Sequence, residues 1–185
     1  MAADSVKSVS ITALDQASPS LSASLSEGQG AAGRLVNHSD YVVATAGGLA
    51  DTSSKYKMVR LPSSCMLKSI VVHTKSGLDS STGLKIDIGA YYSDSVNDGT
   101  PASLQGTAIS VNCFLAATAF GQSGAGSRIS GLTNMDSNLI NAPLWQQVGL
   151  STDPGGYIDI VLAVQTVASG TATGGNIGLH ADVVN

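Results

Sequence analysis

The chain has 185 residues, 43% of them hydrophobic and only 12% charged, with a formal net charge of −4. Against a norm of about 25% charged residues, this leaves a surface of small polar side chains with little electrostatic repulsion, suited to packing against neighbours. The few Lys and Arg are scattered, which excludes a phosphate-neutralising face and direct nucleic-acid binding, and no apolar run nears the ~18 residues that would span a membrane.

The length suits one domain with an extension. The opening MAADSVKSVS lacks the apolar stretch of a secretory signal, so synthesis and retention in a cytoplasm are expected. Cys65 and Cys113 lie far apart without CxxC spacing and read as two buried thiols.

Residues 1–40 differ in character from the remainder of the chain. Val6, Val9, Ile11 and Leu14 are isolated apolar positions in a polar segment, followed by SPSLSASLSEGQGAAG with Leu21 and Leu25 as its only large apolar residues. Such a segment buries too little surface to offset its ordering entropy. A plain spacer needs no spaced apolar residues, whereas an arm that orders against a partner does, and Val9 and Ile11 fit strand-like docking. Val6, Val9, Ile11, Leu14, Leu21 and Leu25 are therefore the candidate partner-contact residues, on an extended N-terminal arm, with a folded domain over 41–185.

The folded region opens with a short strand, Tyr41 to Ala46, stopped by Gly47-Gly48. Lys55 to Tyr92 comes next as three apolar runs cut by turn chemistry at Pro62-Ser63-Ser64 and at 76–83. In the third run Leu84, Ile86, Ile88, Ala90 and Tyr92 alternate with Lys85, Asp87, Gly89 and Tyr91, the period of a strand with one buried face. Ser93 to Gly106 is a loop rich in turn formers. Ala108–Phe120 supports either a strand, through Ile109 and Val111, or a short helix at 114–117. Gly121 to Gly131 reads as a glycine-rich loop. Pro143 to Val148 predicts a short helix, capped by Asn141 and closed by Gly149. After the turn at 151–156, Ile158, Ile160, Leu162 and Val164 mark one strand face, and Ile177, Leu179, Ala181 and Val183 mark another. Seven or eight short strands, one short helix and no repeat predict an all-β fold: an antiparallel β-sandwich, with the jelly roll among the arrangements that this strand count allows.

Chemistry is hard to place on this scaffold. There is no GxSxG, and His38, His73 and His180 are the only bases of suitable pKa. His38 stands near Asp40, but a triad rests on assembled geometry, not on local proximity. Zinc-type Cys/His spacing is absent, and the oxygen-rich stretch from Asp94 to Gly99 lacks the ligand alternation of a calcium loop, so it reads first as a turn. Gly121 to Gly126 imitates a phosphate loop without its lysine. Trp145 reads as a core cap from the short helix, or else as a contact anchor. No enzyme activity, cofactor or metal is expected.

Several stretches resemble capsid-associated structural proteins of tailed bacteriophages, the head decoration or cement proteins. They are Arg60-Leu61-Pro62-Ser63-Ser64; Ile86-Asp87-Ile88-Gly89-Ala90-Tyr91 leading into Asn97-Asp98-Gly99; Leu144 to Leu150 followed by Asp153 to Ile160; and the leader Val6-Lys7-Ser8, Ile11 to Asp15 and Pro19. The glycine-rich segment 121–131 and Cys113–Ala117 depart from the pattern. The resemblance implies a virion protein, made in the host cytoplasm, that binds the major capsid protein and neighbouring copies of itself on the capsid surface. Alternatives are a head fibre base, a tail protein or a head–tail adaptor. A carbohydrate-binding sandwich is a further one, with Tyr41, Tyr56, Tyr91, Tyr92, Tyr157 and Trp145 as its stacking platform.

Overall fold

A computed structural model describes residues 5–7, 11, 35–95, 98 and 100–184. The strands are β1 (Ser5–Lys7), β2 (Leu35–Ala44), β3 (Lys55–Pro62), β4 (Met66–Ser76), β5 (Lys85–Tyr92), β6 (Ala108–Ala119), β7 (Ala125–Ser130), β8 (Tyr157–Thr166) and β9 (Gly175–Val184). Two single-turn helices, α1 (Ala46–Leu49) and α2 (Leu144–Gln147), and a 3-10 turn at Ser137–Leu139 complete the described elements.

Two sheets form, in the orders β1-β3-β8-β5-β6 and β2-β9-β4-β7. Leaving β1 aside, the antiparallel partners nest: β2 with β9, β3 with β8, β4 with β7 and β5 with β6. A long hairpin rolled so that its successive rungs fall alternately on two sheets gives this order, and the fold is a jelly-roll sandwich. The segment from 55 to 92 is thus divided between layers, β3 and β5 lying in one sheet and β4 in the other.

The strand periods explain the core. Ile158, Ile160, Leu162 and Val164 of β8 and Ile177, Leu179, Ala181 and Val183 of β9 are all buried, as their alternation predicts. β8 is central in its sheet, between β3 and β5, and on its other face Val161 and Asp159 are also buried. Tyr91 differs from the simple alternation: it falls opposite Asp159 on the face away from Ile158, yet it is buried.

Four local expectations change. The strand expected at Tyr41 to Ala46 is longer and shifted: β2 runs Leu35–Ala44 and pairs with β9 along its whole length. Residues 108–119 form a strand, whose irregular register with β5 and positive φ of 46° at Ala117 account for the mixed pattern at 114–117. The glycine-rich segment 121–131 contains β7, the strand that pairs antiparallel with β4. Pro143, not Asn141, occupies the N-cap of α2, while Asn141 accepts a hydrogen bond from Lys68 Nζ at 2.7 Å. Gly149 closes α2 at a φ of +88°, which favours glycine.

Gly89 is required by a close approach. A Cβ there would lie 2.3 Å from the carbonyl oxygen of Ser110, so the backbone of β6 occupies the space. Gly89→Ala should therefore destabilise the protein by roughly 1–3 kcal/mol through overpacking, read as a lower denaturation midpoint at unchanged slope. An unchanged midpoint would show that β6 can yield at this position.

Candidate partner interface

The six arm residues divide in the structure. Val6 lies in β1, which pairs in parallel with β3 through Ser5 opposite Lys55, Val6 opposite Tyr56 and Lys7 opposite Lys57. Val6 is half-buried and packs against the core, and Ile11 is fully buried. The apolar surface of Val6 is thus committed in part to this chain's own sandwich. Val9, Leu14, Leu21 and Leu25 lie outside the described residues.

An ionic network ties β1 down. Lys7 Nζ stands 2.8 Å from Asp94 Oδ2, and Lys57 Nζ donates to the same oxygen at 2.5 Å. Arg60 Nη2 donates to Asp94 Oδ1 at 2.9 Å, while its Nε and Nη2 donate to the two oxygens of Asp159 at 2.6 and 3.0 Å. Burial alone would raise the Asp94 pKa, but the hydrogen bonds and charges of Lys57 and Lys7 outweigh it and hold the carboxyl well below the usual range. With its oxygens turned to three cations, Asp94 is poorly placed to serve as a calcium ligand. Among the described residues no group of three or more His, Cys, Asp or Glu side chains could hold a metal ion.

The clearest exposed apolar surface is on β2, which ends the four-stranded sheet. Leu35, Tyr41 and Val43 are 64%, 50% and 55% exposed, whereas Val42 and Ala44 turn inward. The sequence of β2, LVNHSDYVVA, contains no Lys, Arg or Pro, the residues that commonly blunt a sheet edge. Of these outward residues, sequence reasoning singled out only Tyr41, as part of a stacking platform. Their signal was the doubled apolar character of Tyr41-Val42-Val43-Ala44, too much for a strand with one wet face.

Next to this row the outer surface is polar and internally bonded. Asn37 Nδ2 donates to Asp182 Oδ1 at 2.7 Å, Ser69 Oγ donates to Asp182 Oδ2 at 2.5 Å, and Ser39 Oγ lies 2.7 Å from His180 Nδ1. His73 stacks on His180 with ring centroids 4.9 Å apart, over Gly178, where a Cβ would lie 2.4 Å from the His73 ring. Burial, then the neighbouring His180 and Arg128, hold the His73 imidazole below its ordinary value.

The residues considered for chemistry do not converge. His38 is half-buried on the inward-facing row of β2, its pKa lowered by burial, and Asp40 Oδ1 accepts from the Tyr41 amide at 2.8 Å. Burial pushes the Cys65 thiol up to about 12 and the Cys113 thiol up to about 11, which suppresses the reactive thiolate. Of the six candidate aromatics for a stacking platform, only Tyr41 is exposed; Tyr56 and Tyr91 are buried, and Tyr92, Tyr157 and Trp145 are half-buried. Trp145 packs against the core from α2.

No protein-family profile matches the chain. No curated protein sequence matches it either. Two solved structures do. One chain of the cyanophage Pam1 capsid asymmetric unit superposes with a TM-score of 0.52 at 16% identity, over 85% of this chain and 89% of that one. One chain of the capsid of Ralstonia phage GP4 superposes with a TM-score of 0.57 at 13% identity, over 84% of this chain and 86% of that one. At these identities the likeness establishes a shared fold.

Proposed function

We propose that this chain is a structural protein of a tailed-phage virion that sits on the head surface and cements neighbouring capsid subunits. The observation that carries this reading is the fold likeness to chains of two phage capsids, which extends over more than four-fifths of this chain in each case. The partners are the major capsid protein and further copies of this chain. The mechanism is mechanical: interface buried across adjacent subunits raises the cost of separating them, and no catalytic step is involved.

Two parts of the chain supply the contact. The outward row Leu35, Tyr41 and Val43 offers apolar surface on a sheet edge suited to pairing with another chain. The arm before Leu35 brings Val9, Leu14, Leu21 and Leu25 as further apolar contacts that add area on the shell. Val6, packed against the core, anchors the base of the arm.

Deleting residues 1–30 tests the division of labour. Attachment to heads, read by co-sedimentation, should weaken at least about tenfold, the equivalent of 1.4 kcal/mol. The sandwich should still unfold cooperatively at a modestly lower midpoint, since β1 is lost with the arm. Fold and binding lost together would remove the arm's separate role. Tyr41→Ser with Val43→Ser should weaken attachment far more than it lowers the midpoint, because half or more of each residue is already in solvent.

A further inference from the structure

β1 is anomalous among the strands. Its pairing with β3 is the one parallel pair among the described residues, and it is three residues long. In sequence it is succeeded by a connection far longer than its position requires. β1 lies against β2 as well as β3, so the two elements that the connection joins are side by side. Yet residues 12–34 intervene between Ile11 and Leu35, a Ser-, Gly- and Ala-rich stretch. Fully extended, that many residues reach roughly 75 Å. Connections this long between touching elements are uncommon in compact domains, where they either serve a function or act as linkers.

The site that β1 fills is built entirely by the sandwich. The edge of β3 supplies the backbone partners, and Lys57 and Arg60 already hold the Asp94 carboxylate to which Lys7 adds itself. Nothing in those contacts requires that the strand come from the same chain. Exchange between copies would preserve every rung, the Lys7–Asp94 pair and the seating of Val6. Its free-energy difference is therefore confined to the connection and to the proximity of the copies.

We propose that β1 is exchanged between adjacent copies, the strand of one chain pairing with β3 of a second copy and its Lys7 reaching that copy's Asp94. Residues 12–34 supply the span. This rests on the reading of the chain as a component arrayed side by side on a capsid, which provides the second copy at high local concentration. Exchange then links the copies into a net that resists removal of any one of them.

Single-cysteine pairs decide the matter. Ser5 and Lys55 are register partners on adjacent strands, the pair chosen for cross-linking. Full-length Ser5→Cys chains and full-length Lys55→Cys chains are unfolded together, refolded as a mixture, bound to heads and oxidised. The Ser5→Cys, Lys55→Cys double variant is treated in parallel. Cys65 is buried and Cys113 half-buried, so both make poor competitors. Exchange predicts a two-chain species on a non-reducing gel from the mixture on heads, and higher multimers from the double variant. If the chains bind heads but the mixture yields no two-chain species while the double variant closes within one chain, exchange is overturned and the attachment reading stands. Failure of either partner to form a disulfide in any arrangement also overturns it, because β1 would not then occupy the β3 edge. If the chains do not bind heads, the attachment reading falls, and the same mixture oxidised in concentrated solution decides exchange by the same two-chain species.

Discussion

Asp79→Ala should cost about 3–5 kcal/mol of stability, because it removes the partner of five backbone amides at once. Asp79 has no exposed surface. Its Oδ1 accepts from Ser81 at 2.9 Å and Gly170 at 3.0 Å, and its Oδ2 accepts from Gly83 and Leu84 at 3.0 Å and from Ser169 at 3.2 Å. Three of these donors belong to the connection between β4 and β5 and two to that between β8 and β9. One carboxylate therefore clamps two loops that lie 90 residues apart in sequence. Asp79→Asn should lose roughly half as much, about 2 kcal/mol, since its amide NH2 points a donor at donors. Denaturant unfolding of the two variants checks the order.

The same clamp sets an acid limit. Burial would raise the Asp79 pKa, but the amides of Ser81, Leu84, Gly170 and Ser169 outweigh it and bring the carboxyl down from 3.8 to about 2. A folded pKa below the unfolded one means that the unfolded chain takes up the proton first. The contribution is therefore complete above about pH 4 and is lost as pH falls through about 2. Asp79→Asn should show a flatter decline in stability over that window, and an equally steep decline would move the acid sensitivity to another carboxyl.

The second large effect lies across the sandwich. Arg60→Leu should cost about 3–5 kcal/mol, because it leaves the buried Asp159 carboxylate without its cation. Asp159 has no exposed surface, and burial pushes its carboxyl up against the pull of the Arg60 fork. Arg60→Leu combined with Asp159→Leu should recover most of the loss, since an apolar pair of similar volume avoids the desolvation of both charges. A double variant as unstable as the single one would show that Arg60 acts mainly through Asp94. Both side chains extend outward from neighbouring strands in register, Arg60 on β3 opposite Asp159 on β8, so the pair also pins β3 to β8.

Much of the sandwich is legible from periodicity. The rows of β8 and β9 emerge directly from Ile158, Ile160, Leu162 and Val164 and from Ile177, Leu179, Ala181 and Val183, because each has one face that must leave water. β7 is not legible, since Ala125-Gly126-Ser127-Arg128-Ile129-Ser130 has a single large apolar residue and owes its strand geometry to pairing with β4. The start of β2 is hidden for a related reason. Leu35 to Asp40 alternates around polar inward residues such as His38, and only the pairing with β9 reveals it as strand. The clamp at Asp79 and the Arg60–Asp159 pair are invisible to local reading because they join residues about 90 or 100 positions apart.

The interface is the least legible part. Spaced apolar residues in the leader predict a partner, but nothing local says that Val6 packs against the chain's own core. That depends on β3 offering an edge and Asp94 offering a charge to Lys7. Tyr41 and Val43 read as strand residues in the sequence, and their exposure emerges only when β2 proves to be the last strand of its sheet.

The proposed attachment to a phage head is open to direct titration. Purified full-length chain should be titrated onto mature heads that lack it, with bound chain counted per capsid subunit after sedimentation. Saturation at a fixed ratio to capsid subunits is expected, together with heads that resist heat or denaturant better than bare ones. Binding that never saturates, or saturated heads that fall apart as readily as bare ones, would contradict the claim.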